Sequence, residues 1–166
     1  MKVKVLKLND KARLPFKKYN EDFCYDVVAT SCEEVAPNVY KYGIGLAFQI
    51  VRTDWERVVG DKLGTIYGTS IKIDTDYENL SIDFRPRSSV WETGMILSNC
   101  EGTIDELYTG EVSAVFYHIM TNMPKYEVGD RIGQIKIGVT FPIEFVEVDE
   151  LDKTERGEGG YGSTGK

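Results

Sequence analysis

Short apolar, β-branched segments recur along this sequence and are separated by turn residues. Residues 43–51, 111–119, 131–137 and 143–148 are four such stretches, and runs of this kind bounded by Gly, Pro, Asn or Asp are typical of strands. No segment sustains a long helical period, and only residues 54–59 favour one short helix. Many short strands at this spacing predict an all-β domain of the sandwich or jelly-roll type.

Length, composition and charge bound the class of protein. The 166 residues, 42% hydrophobic and 28% charged, suit one ordinary globular domain. No run of eighteen apolar residues is present, so the sequence predicts no membrane span, and the N-terminus alternates lysines with aliphatic residues as a strand does. The net charge of −7 disfavours nucleic acid as a partner, and a polyanionic ligand would need cations clustered at its site.

The cysteines and the single histidine exclude several kinds of chemistry. Cys24, Cys32 and Cys100 form no CxxC pair, which argues against a disulfide framework and a zinc site and indicates a reducing, cytoplasmic location. His118 is the only histidine, so Ser–His–Asp and Cys–His catalysis are excluded. Any catalysis must depend on carboxylates, arginines, backbone amides or a hard metal ion held by oxygen.

The C-terminal residues 156–166 differ in kind, because five of these eleven residues are glycine. Such a segment forms neither strand nor helix alone and predicts a mobile arm. Fixing about ten residues costs on the order of 10 kcal/mol of backbone entropy. Phosphate groups bound by Arg156 and the hydroxyls, with a base stacked on Tyr161, would offset that cost. Taken alone, the arm fits a nucleotide lid and a plain flexible terminus equally well.

Two stretches offer anion chemistry on the β framework. Asp26, among apolar neighbours, is either a turn former or a ligand. Arg87, Ser88 and Ser89 lie at a strand end, where a guanidinium and two hydroxyls suit phosphate oxygens. A solvated basic turn is the simpler interpretation of so short a fragment.

Two further stretches combine turn residues with functional groups. Asn99 and Gly102 fit the mouth of a β-hairpin, and Asp105 would point away from the apolar side of its strand, where it can activate a water molecule. A charged hairpin tip is the alternative. In the turn at 129–134, Arg131 and Gln134 face either the protein or a ligand, and for Arg131 the structural role is favoured.

The order of these fragments resembles the five-motif series of trimeric dUTPases. The matching motifs are Tyr-Asp at 25–26, Pro-Arg-Ser at 86–88, Gly-x-Ile-Asp-x-x-Tyr-x-Gly-Glu at 102–111, Gly-Asp-Arg-Ile-x-Gln at 129–134 and Arg-Gly-x-Gly-Gly-Tyr-Gly-Ser-Thr-Gly at 156–165. The third and fifth motifs are the most specific. The resemblance implies a distorted jelly roll over residues 1–151, a mobile arm at 152–166, and a homotrimer with shared active sites.

The resemblance also implies an activity, namely Mg²⁺-dependent hydrolysis of dUTP to dUMP and pyrophosphate. Asp105 would activate the water that attacks the α-phosphorus, Asn99 would read uracil, Tyr108 would pack on the deoxyribose, and Asp26 would support the magnesium region through water. The other implied substrate-binding residues are Arg87, Ser88, Ser89, Gly102, Thr103, Ile104, Gln134, Arg156, Tyr161, Gly162, Ser163 and Thr164.

The sequence also departs from a typical member in length. Residues 52–79 form a surplus that predicts an insert, either a passive elaboration or a contact for a protein partner. Two alternative functions stay open at this point. One is dCTP deaminase, which shares the fold, and the other is a nucleotide-binding regulatory module that acts through a protein partner.

Overall fold

A computed structural model of the chain describes residues 2–51, 79–141 and 143–159. The strands in these ranges are β1 (Lys2–Lys7), β2 (Tyr25–Val28), β3 (Ser31–Ala36), β4 (Val39–Gly43), β5 (Leu46–Val51), β6 (Asn79–Arg85), β7 (Met95–Leu97), β8 (Gly102–Asp105), β9 (Ser113–His118) and β10 (Arg131–Thr140). A 3-10 helix, Ser88–Thr93, follows β6. In these ranges no helix is long and apolar enough to cross a membrane.

Several predictions fall outside that part of the chain. They are the short helix at 54–59, the insert at 52–79 except for its last residue, and the arm residues Tyr161, Gly162, Ser163 and Thr164.

The strands pair into three sheets. Two four-stranded sheets, ordered β2-β10-β6-β8 and β3-β4-β9-β7, are accompanied by the two-stranded sheet β1-β5, and all pairs are antiparallel. Strand alternation on β6 places Leu80, Ile82 and Phe84 in the core. The all-β, jelly-roll-like prediction is confirmed.

The centre of the core is aromatic. Tyr42, Phe84, Phe116 and Tyr126 are buried and meet edge to face, with ring centroids 5.6–6.4 Å apart. The Tyr42 hydroxyl donates to the Tyr126 carbonyl at 2.8 Å, so the buried polar group is satisfied. Burial raises the pKa of Tyr42, which keeps the phenol neutral.

Two predicted strands differ from the structure. The stretch 43–51 is divided, because Gly45 adopts a left-handed conformation with φ 66° and turns the chain between β4 and β5. Residues 143–148 form no strand, since in the described part of the chain no neighbouring strand pairs with them. Their side chains are instead exposed, with Phe145 at 90%.

The register of the first four-stranded sheet gathers polar residues on its outward face. Residues that pair across an antiparallel sheet point to the same side, so each row of paired residues shares this face. The rows are Asp26–Gln134–Arg85, Lys136–Asp83–Thr103 and Gly138–Ser81–Asp105. Asp26, Gln134, Thr103 and Asp105 therefore lie on one face, but at different ends of it. Gly102 and Ile104 lie on the other face, since they pair with the core residues Phe84 and Ile82.

Candidate active site

Asp26 is the centre of the first cluster on this face. It is 6% exposed, and its carboxylate accepts hydrogen bonds from Arg131 Nη1 and Gln134 Nε2, each at 2.9 Å. Arg87 Nε lies 3.4 Å from the same carboxylate. A buried carboxylate needs such partners, and this one ties together three of the predicted motifs. Arg131 thus has the structural role that the sequence favoured.

The phosphate-binding candidates lie at the edge of this cluster. Arg87 is followed at once by Ser88 and Ser89, the first residues of the 3-10 helix, where backbone amides lack helical partners. Arg87, Ser89 and Arg131 line a cleft of about 350 Å³. The Arg87 guanidinium beside hydroxyl and amide donors suits an anion with several oxygens. The carboxylates of Glu92 and Asp130 also line this cleft and make part of it unfavourable for an anion.

A second, smaller pocket lies at the opposite edge of the sheet, between β8 and β9. The predicted hairpin at Asn99 and Gly102 is wrong, because β8 pairs with β6 while β7 and β9 pair in the other four-stranded sheet. The volume of the pocket is about 220 Å³, and its lining includes Asn99, Gly102, Thr103 and Ile104. Drug-sized ligands occupy roughly 300–1,000 Å³, so this pocket fits a single ring. Because β8 is an edge strand, its outward backbone N–H and C=O groups are available to such a ring.

Asp105 ends β8 next to that pocket. Its backbone carbonyl accepts a hydrogen bond from the Tyr108 amide at 3.0 Å, and its carboxylate is exposed. In the described part of the chain, no side chain donates to this carboxylate. Asp105 therefore has the accessibility that a general base requires.

One chain does not bring the two clusters together. Asp105 pairs with Ser81 and Gln134 pairs with Arg85, on the two sides of β6. Four residues along the strand and two strand spacings place the Cα atoms of Asp105 and Gln134 about 16 Å apart. The phosphate-binding candidates and the candidate base thus lie at separate places on the monomer.

The described start of the arm makes only local contacts. Arg156 Nε donates to the Gly159 carbonyl at 2.9 Å, and the Gly157 amide donates to Thr154. Both bonds lie in exposed turns. Nothing there places Arg156 against the phosphate-binding candidates within this chain.

A magnesium site made only of protein groups is not found among the described residues, which contain no cluster of three or more His, Cys, Asp or Glu side chains suited to a metal. Mg²⁺ commonly keeps several waters and binds substrate phosphates with one or two carboxylates. Both Asp26 carboxylate oxygens already accept hydrogen bonds from Arg131 and Gln134, so this residue could support such an ion only through water.

A buried ion pair on this face was not predicted. Lys136 Nζ lies 2.5 Å from Asp83 Oδ2, and Ser81 donates to Oδ1 at 2.7 Å. Burial alone would raise the pKa of Asp83, but the hydrogen bonds from Lys136 and Ser81 outweigh it and lower the pKa. Only the β6–β10 register reveals this pair, since the two residues are far apart in sequence.

The fold and the two clusters are those of an all-β protein that combines anion-binding side chains with an exposed carboxylate at the end of an edge strand. The family model for dUTPase matches residues 57–165, which is more than half of the chain. This chain belongs to the dUTPase family.

Individual relatives agree with that assignment. The deoxyuridine 5'-triphosphate nucleotidohydrolase of Nautilia profundicola is 32% identical over 168 residues, covering 100% of both chains. The corresponding protein of Fusobacterium nucleatum is 41% identical over 100 residues, 60% of this chain and 66% of the relative. The solved dUTPase of Staphylococcus bacteriophage 80alpha with dUPNHPP covers 99% of both chains at a TM-score of 0.70 and 19% identity, which shows the shared fold.

Proposed function

We propose that this chain is a dUTP diphosphatase, which hydrolyses dUTP to dUMP and pyrophosphate. The observation that carries the proposal is the ring-sized pocket on β8, with Asp105 at the end of the same strand. The family assignment supports the same substrate. It also favours the hydrolase over the dCTP deaminase and the purely regulatory module that the sequence left open.

Uracil recognition follows from the edge of β8. An edge strand offers alternating N–H and C=O groups, which match the alternating acceptors and donor of the uracil edge. Asn99 adds a side-chain amide at the mouth of the pocket, and Gly102, Thr103 and Ile104 supply the adjoining backbone. A site built around one hydrogen-bonding pattern rejects a mismatched analogue by about 10⁴-fold, because its buried polar groups stay unpaired.

Hydrolysis requires a base and an ordered sugar. Asp105 takes a proton from the water that attacks the α-phosphorus, a role worth about 10²–10⁴ in rate. Tyr108, three residues later, packs on the deoxyribose. Asp105 ends β8 and Tyr108 lies in the loop that follows, which supports neighbouring positions for these two functions.

The phosphate chain is held by the other cluster. Arg87, Ser88, Ser89 and Gln134 bind phosphate oxygens, and Asp26 orients Arg87 and Gln134 through the contacts described above. Mg²⁺ would be held chiefly by the triphosphate, with Asp26 acting through water. When bound, the ion neutralises phosphate charge.

A homotrimer with shared sites resolves the separation of about 16 Å between the two clusters. In this proposal the β8 strand of one subunit meets the phosphate-binding residues Arg87, Ser88, Ser89 and Gln134 of a neighbour. The exposed apolar side chains of the segment 141–151, including Phe141, Phe145 and Leu151, support association. The domain at 1–151 carries both clusters, and the arm at 152–166, with Arg156, Tyr161, Gly162, Ser163 and Thr164, closes over the nucleotide from a third subunit.

Location and further partners complete the proposal. The three cysteines are free, which supports a reducing cytoplasm. A protein partner at the insert 52–79 would act in addition to catalysis and independently of it.

The nucleotide panel is the experiment that tests the proposed activity. Pyrophosphate release is measured with dUTP, dTTP, dCTP and UTP, with and without Mg²⁺, and ammonia release is followed with dCTP. We expect rapid pyrophosphate release only from dUTP, and only when Mg²⁺ is present. Ammonia from dCTP, or equal pyrophosphate release from all four nucleotides, would contradict the proposal.

A further inference from the structure

The loop that connects β8 to β9 holds Tyr108 by its backbone amide and by its side-chain hydroxyl. The Tyr108 amide donates to the Asp105 carbonyl at 3.0 Å, and its hydroxyl donates to the Glu111 carbonyl at 3.0 Å. A Cβ atom at Gly110 would lie 2.5 Å from that hydroxyl, so the ring can lie over the loop only because residue 110 is glycine.

The Glu111 side chain anchors this loop to the β4–β5 turn. Its Oε1 accepts a hydrogen bond from the Gly45 amide at 2.8 Å, and a carboxylate acceptor makes such a bond comparatively strong. A Cβ atom at Gly43 would lie 2.4 Å from the same oxygen. Gly43 and Gly45 therefore form a cradle for the carboxylate of Glu111.

The Tyr108 ring has little other support. Tyr108 is 49% exposed, so core packing does not fix its orientation. Its position depends on the two hydrogen bonds and on how firmly the Glu111 backbone is held. The buried Gly45 turn is rigid, since its left-handed glycine is enclosed by Asn9, Thr30 and Ala12.

We infer that Glu111 is a positioning residue that fixes Tyr108 and thereby sets the preference for deoxyribose over ribose. The inference rests on the proposed function, in which Tyr108 packs on the sugar. A ring can exclude a 2′-hydroxyl only if it does not retreat, and the anchor at Gly45 prevents that movement. Glu111 is not among the residues that the proposed function places against the substrate, and its side chain bonds to Gly45.

The expected effect is a loss of sugar discrimination. A closely packed apolar surface rejects an added hydroxyl by about 10²-fold. Glu111→Ala removes the anchor, and we expect the ratio of kcat/KM for dUTP over UTP to fall by about tenfold. Glu111→Gln keeps an oxygen acceptor for the Gly45 amide and should retain most of the ratio.

Tyr108→Phe tests the hydrogen bond between Tyr108 and the Glu111 carbonyl directly, because it keeps the ring and removes the hydroxyl. We expect a fall in the ratio in the same direction. Glu33→Ala, which removes an exposed carboxylate on β3, is the control for the loss of charge. The dissociation constants of non-hydrolysable deoxy- and ribonucleotide analogues provide a readout that is independent of turnover.

The outcomes separate this inference from the proposed function. Wild-type protein that releases no pyrophosphate from dUTP overturns the proposed function and, with it, the inference. Suppose that the wild type is active, but that Glu111→Ala and Tyr108→Phe each leave the ratio of kcat/KM for dUTP over UTP unchanged. This includes the case in which kcat/KM falls equally for both nucleotides. Only the inference is then overturned. Should Glu111→Ala fail to fold, Tyr108→Phe decides the test alone.

Discussion

Replacing Asp26 with alanine removes the carboxylate that accepts hydrogen bonds from Arg131 and Gln134 and forms an ion pair with Arg87. Its carboxylate is 8% exposed and receives Arg131, Gln134 and, at 3.4 Å, Arg87. Breaking a buried ion pair by deleting one partner costs about 3–5 kcal/mol. Because the Arg131 side chain is 43% exposed and that of Arg87 is 26% exposed, both recover some hydration. We therefore expect a loss of about 3 kcal/mol in the free energy of unfolding.

Urea unfolding at one fixed protein concentration measures that loss. With a slope of about 2 kcal/mol per molar urea, the midpoint should fall by about 1.5 M. Asp26→Asn, which keeps the volume and one acceptor oxygen, should give an intermediate shift. Asp10→Ala removes an exposed carboxylate and should stay within about 0.5 kcal/mol of the wild type.

The same substitution has a kinetic consequence. Without Asp26, Arg87 and Gln134 lose their orientation, and we expect KM for dUTP to rise at least about tenfold, since small misplacements at a positioned site are costly. A midpoint for Asp26→Ala within about 0.3 M of the wild type would refute the claim that Asp26 holds the cluster together.

Three other predictions test separate parts of the account. Asp105→Asn should lower turnover by at least about a hundredfold while binding of a non-hydrolysable dUTP analogue persists, and near-normal pyrophosphate release would remove Asp105 as the base. Deleting residues 155–166 should leave a folded trimer by light scattering with little activity, and full turnover would contradict the role of the arm. Because folding lowers the pKa of Asp83, its ionised carboxylate contributes to the free energy of unfolding. That contribution is fully present above the pKa of the unfolded state, about 3.9, and is lost as the pH falls through the lower pKa of the folded state. Asp83→Asn should therefore flatten the acid side of the stability profile, and an unchanged profile would contradict that reasoning.

Strand periodicity predicted much of the fold because each strand has one apolar face. The alternation of apolar and polar residues predicted β1 and β10 from the sequence alone, and both strands are present. The break at Gly45 could not be predicted, because its left-handed turn is bonded to Leu8 and Glu111, which are distant in sequence. Residues 143–148 have the composition of a strand, but a strand also needs a partner, which composition does not specify.

The chemistry of the candidate site could also be predicted from the sequence, but the spatial arrangement of its residues could not. The residue types at Asp26, Arg87 and Asp105 indicated anion binding and general base chemistry. That Asp26 joins Arg131 and Gln134, and that Asp105 lies at the far end of the same face, follows from strand register. Register depends on long-range pairing, which local sequence patterns do not determine.

Subunit mixing tests most directly whether one active site combines Asp105 at the end of β8 in one copy with the proposed phosphate-binding residue Arg87 of another. Asp105→Asn and Arg87→Ala proteins, each expected to be inactive alone, are mixed in equal amounts, unfolded together, refolded and assayed for pyrophosphate release from dUTP. Shared sites predict recovery of about a quarter of the wild-type activity, because random mixing leaves both groups intact at that fraction of sites. A refolded mixture that forms oligomers yet stays as inactive as its components would contradict the shared site.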